Sequence, residues 1–184
     1  MKPNVTQINF DVPKDSKLGK YAEQLGDIII STRYKEDFNN FSDQLFHDSF
    51  AFVRKELKTD DYPVIIVEFV STQVEYERLE KQADRLVYQK EKPKIGTLGF
   101  AITSDFGNKI YINFEPLWGL LKNSRSSFVF NLVSTLIHEI LHCFYRGSKD
   151  EQATLNLHYK LLEVFLGVTL SDEIKETKAT DYYT

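Results

Sequence analysis

SSFVFNLVSTLIHEILHCFYRG, residues 126–147, is the stretch from which the fold is read. Val129, Leu132, Val133, Leu136, Ile137, Ile140, Leu141 and Phe144 recur at three- and four-residue steps, which predicts a helix with a continuous apolar stripe. Ser124 or Ser126 can cap its start, and Gly147 is a natural residue just past its end. Inside it stands His138-Glu139-Ile140-Leu141-His142, an H-E-x-x-H string. Residues four apart on a helix lie about 40° apart around it, so both imidazoles project from one face and can reach one metal ion. Glu139 is offset to stand beside the ion's open position. Chance places such a string in roughly one chain of this length in two hundred, so its position inside a helix carries weight. The competing reading is a pair of surface histidines on a core helix. Cys143 points about 100° away from His142 and reads as a small packing group.

A catalytic zinc site takes three protein ligands and leaves the fourth position to water. The following segment, Ser148 to about Leu166, predicts a second helix ending at Gly167, with Leu155, Leu161, Leu162 and Phe165 on its core side. It offers Asp150, Glu151, His158 and Glu163. Glu151 and His158 are seven residues apart and share the inner face with Leu155 and Leu162; Glu163 groups with Asn156 and Lys160 on a face expected to meet solvent. With the helices antiparallel, Glu151 returns to the level of the histidines, and His158 lies about 10 Å further along, near or beyond His138. Glu151 therefore leads as third ligand, ahead of His158, Asp150 and Glu163. Ser148-Lys149-Asp150-Glu151 also fits a capping box, in which the glutamate folds back on its own helix. His158 can equally be a buried neutral imidazole, a ligand or a stabiliser of a developing oxyanion. His47, beside Asp48 and Ser49, reads as a polar-face residue.

Upstream, Met1 to Lys20 carries Pro3 and Pro13 and reads as extended or irregular. Phe38, Phe41, Leu45, Phe46, Val53 and Leu57 predict a long backing helix from about Lys35 to Leu57. Pro63 opens the β-branched run Val64 to Val70, a buried strand. Thr72 to Lys94 alternates charge sign, with Val74, Leu79, Ala83 and Leu86 at helical spacing, and reads as a solvated helix, an insertion or flap. Leu98 to Thr103 and Ile110 to Phe114 flank Asp105, Gly107 and Asn108, and the pair reads as a β-hairpin. Ser171 to Thr184 is polar and expected to fray. The fold class is α+β: one domain over residues 1–170 with a polar tail over 171–184.

Composition narrows the function. With 42% apolar and 27% charged residues the chain is of ordinary globular make-up, long enough for a sizeable core. A net charge of −4 gives no electrostatic reason for a nucleic-acid or anionic membrane partner. The single cysteine rules out an intramolecular disulfide framework. No apolar run is read as reaching the 18 or so residues of a membrane span, and Met1 to Phe10 has no signal-peptide core, so a cytoplasmic protein is expected.

The order of backing helix, strand, hairpin, H-E-x-x-H helix and glutamate-bearing helix, over about Lys35 to Leu166, resembles the zincin metallopeptidases, and among them the small soluble gluzincins, or minigluzincins. The resemblance implies a zincin-like fold and Zn²⁺ held by His138, His142 and a glutamate of the next helix, here Glu151, with Glu139 as general base. It implies hydrolysis of a peptide or unfolded protein held along an edge strand before the metal helix, here Ile110 to Phe114. Metzincins are less similar, since their pattern requires glycine at Tyr145 and histidine or aspartate at Ser148. Thermolysin-like enzymes carry their glutamate near Glu163. A module that keeps the fold and the metal without cleaving peptides is the alternative.

Overall fold

The computed structural model describes residues 5–86, 98–144 and 151–175. In chain order its elements are α1 (Lys17–Ile29), α2 (Tyr34–Glu56), β1 (Ile65–Val70), α3 (Gln73–Leu86), β2 (Gly99–Ser104), β3 (Gly107–Asn113), α4 (Phe114–Leu121), α5 (Arg125–Phe144) and α6 (Glu151–Leu166). The fold is α+β, helices around a small mixed sheet.

Helix α5 is the axis of the core. From Ser127 to Leu141 every residue is buried, because α1, α2, α4, α6 and the sheet each cover part of its circumference. The Ser124 hydroxyl accepts the Ser127 N–H at 3.1 Å, which identifies Ser124 as the cap. By length and hydropathy α5 does match a membrane span, contrary to the sequence expectation, but 89% of that window is buried inside the protein. Helix α2 lays Phe50 against Phe144 and Phe38 against Phe128 of α5, the backing role expected of it.

The sheet order is β1-β3-β2, with β1 parallel and β2 antiparallel to β3. Ile110 and Ile112 of β3 are fully buried toward the helical core. The expectation of an edge strand at Ile110–Phe114 is therefore corrected: β3 is the central strand, flanked on both sides. The hairpin is as read, but the parallel strand adds beside β3. The strand that lies along α5 with a free outer edge among the described residues is β2; a Cβ placed on Gly99 would sit 2.5 Å from Cγ2 of Thr135.

Four further expectations are revised. Irregular structure ends at Ser16, not Lys20, because the Ser16 hydroxyl accepts the Gly19 N–H at 3.0 Å and starts α1. Phe114 leaves the sheet to open α4, whose first turn tolerates Pro116 because an N–H there has no helical partner. α3 is docked rather than solvated: Tyr76 is fully buried against Phe100, while Val74, expected on its apolar face, is 79% exposed. Its start is tied to α4 and to the sheet, since Gln73 N–H donates to Glu115 of α4 (2.5 Å) and Asn113 Nδ2 of β3 donates to Gln73 (2.6 Å). Finally, residues 172–175 form a turn docked on α6 instead of fraying, with Tyr159 OH donating to the Lys175 carbonyl at 2.7 Å. Residues 87–97, where the flap was expected to continue, and 176–184 of the tail lie outside the described residues.

Candidate functional site

The helical repeat brings His138 and His142 together as their spacing demands: Nε2 to Nε2 is 3.0 Å, with ring centroids 4.7 Å apart at 80°. The contact is a hydrogen bond between the two rings, and two nitrogens at that separation can also both lie about 2.0–2.1 Å from one common point, the zinc–imidazole bond length. His138 is buried, His142 is half-buried, and Glu139 between them is 4% exposed.

From α6, His158 reaches into the same neighbourhood. It is fully buried, its ring meets that of His138 edge to face at 5.4 Å and 77°, and its Nε2 shares a 3.1 Å hydrogen bond with Ser134 Oγ. Ser134 stands one turn before His138 on α5, so the α6 imidazole wedges into that turn. This contact, together with the short link from α5 to α6, makes the two helices antiparallel. Counting seven residues back along α6 from His158, and seven forward along α5 from Ser134, brings Glu151 opposite Leu141, at the level of the histidine pair.

The side chain of Glu151 lies outside the described residues, and so do Asp150 and the capping box from Ser148. Among the described residues no group of three or more His, Cys, Asp or Glu side chains is arranged to hold an ion. Glu163 is engaged elsewhere: its carboxylate accepts the Leu170 N–H at 3.0 Å and pairs with Lys175 at 3.2 Å. It closes the end of α6, away from the histidines, instead of simply meeting solvent. His47 is exposed on α2, beside Phe46.

Sequence reading missed Ser134. A serine inside a helix carries no signal of its own; only the register of α6 reveals that it faces His158. Two surface hollows are lined by His47 and not by His138, His142 or His158: a groove of about 760 Å³ between α2 and β1, including Phe38, Phe46, Val67 and Phe69, and a hollow of about 660 Å³ around Arg54 and Tyr62. No protein-family model, no curated protein and no solved structure matches the chain.

Proposed function

We propose that the chain is a zinc-dependent metallopeptidase of zincin-like fold, with His138, His142 and Glu151 as metal ligands and Glu139 as general base. The observation that carries this reading is the 3.0 Å approach of the two Nε2 atoms, on a helix whose next residue after His138 is a carboxylate. Zinc held by these residues would supply Lewis acidity for the attack of water on the peptide carbonyl. Glu139 then takes the proton of the attacking water and returns it to the leaving amine. The outer edge of β2, rather than β3, is the strand along which an extended peptide adds, because that edge is unpaired among the described residues and β2 packs on α5. His158 serves the site from behind His138.

The enclosure of the site favours a second reading. Glu139 at 4% and His138 at 2% exposure suit a module that keeps zinc and does not cleave. One experiment separates the two. Purified protein is expected to hold about one zinc per chain and to hydrolyse an unfolded protein; Glu139→Ala is expected to keep the zinc and lose the hydrolysis. Zinc without hydrolysis in the wild type would favour the module. No zinc, even after reloading, would overturn both.

A further inference from the structure

We infer that Ser134 and His158 form a positioning pair that fixes the ring of His138 for metal binding; this rests on the reading of His138 and His142 as metal ligands. His138 is held between two imidazoles, each edge to face: His142 at 4.7 Å and 80°, His158 at 5.4 Å and 77°. The Nε2 of His138 is presented to His142 only while its ring keeps one rotation about χ2, a torsion that is soft for histidine. His142 shares the proposed ion and cannot serve as an independent stop. His158 can, because it comes from a different helix and is itself anchored at 3.1 Å to Ser134, one turn before His138.

The polarity of the pair is what needs explaining. Ser134 and His158 are both fully buried, and Asn131, Thr135 and Thr154 are further buried polar side chains on the same two helices. Packing alone is served as well by apolar side chains, since replacing both partners of a buried hydrogen bond by apolar groups of similar shape is nearly neutral or stabilising. An imidazole locked by a hydroxyl offers what a leucine does not: a flat ring of fixed orientation against the flat ring of His138. Hydrogen-bonded partners of a metal-binding histidine set its ring orientation, and their loss weakens metal affinity about 10- to 100-fold; His158 restrains His138 by ring contact, so a smaller loss is expected here.

The test uses the full chain, with Zn²⁺ affinity measured by competition against a chromogenic chelator and the visible absorption of the Co²⁺ form recorded beside it. The main variant is Ser134→Ala/His158→Leu, which removes both polar partners and keeps apolar volume; Ser134→Ala alone is the backup should the double variant not fold. The expected result is a thermal midpoint at or above that of wild type, Zn²⁺ affinity reduced more than twofold, and a weakened Co²⁺ band of unchanged coordination number. Affinity within twofold of wild type overturns the inference while leaving the metal site standing. Abolished binding in His158→Leu with wild-type affinity in Ser134→Ala makes His158 a ligand, and also overturns it. A wild type that binds neither ion removes the metal reading and this inference together.

Discussion

Asn131 shows how one buried side chain organises a segment that carries little pattern of its own. Its Oδ1 accepts the Thr6 N–H at 3.0 Å, and its Nδ2 donates to the carbonyls of Thr6 (2.8 Å) and Ser127 (2.7 Å). Asn131 thus acts as a short stretch of strand backbone, pinning the extended N-terminal segment to α5. Asn131→Leu strands a buried N–H and C=O of Thr6 and is expected to cost about 1–3 kcal/mol, read from the urea midpoint. Tyr21 gives a pH-dependent counterpart. Burial, and then the Asp48 carboxylate that accepts its hydroxyl at 2.5 Å, hold the phenol well above the usual tyrosine range. The unfolded phenol titrates near about pH 10, so above that pH the unfolded chain loses this proton first and stability falls. Urea midpoints of the wild type should drop more steeply than those of Tyr21→Phe as pH rises past about 10. The histidine pair was legible in the sequence because its geometry is local, set by the helical repeat alone. Asn131 and Ser134 were not, because their partners lie on segments that folding brings from far along the chain.

Among the elements, helical periodicity announced α2, α5 and α6, turn residues announced the hairpin, and the β-branched run announced β1. But α5, read with one apolar stripe, is buried around its whole circumference, and β1, read as a buried strand, lies at an edge with Ile66 61% exposed. Strand order was a different matter. A hairpin signal fixes the pairing of β2 with β3 and says nothing of the side on which a parallel strand docks, so β3 read as an edge and proved central. Helix α1 carried its signal in Leu18, Tyr21, Ala22, Leu25 and Ile28, but the prolines before Ser16 obscured its start. α4 was hidden by its shortness and by Pro116. The contact between β2 and α5 supplies a test at this scale. Gly99→Ala places a methyl 2.5 Å from Cγ2 of Thr135 and 3.2 Å from the Tyr111 carbonyl, so strand and helix must part. The expected loss is about 1–3 kcal/mol. Thr135→Ser removes the nearer obstacle while keeping the hydroxyl that donates to Asn131 O at 2.8 Å, and should return part of it; a double-mutant cycle measures the coupling.

For the whole molecule, the proposed ion ties α5 to α6, and binding that requires the folded pair stabilises the fold by mass action. Zinc at about a hundred times its dissociation constant should raise the thermal midpoint by roughly 5–10 °C, and a chelator should reverse the rise. His138→Ala should show neither shift. The parallel pairing of β1 with β3 has a consequence in time. The hairpin joins neighbours across Asp105 and Phe106, whereas Ile65 meets Asn108, 43 positions away. Closing the longer loop costs about 2 kcal/mol more of chain entropy, so the hairpin is the natural early event and β1 the late arrival. Perturbing the turn, as in Gly107→Ala at φ 142°, should slow refolding, whereas trimming Val67 to Ala should leave refolding nearly untouched and hasten unfolding. The half-life of the native state is then governed from the β1 side of the sheet, by the strand that arrives last and departs first.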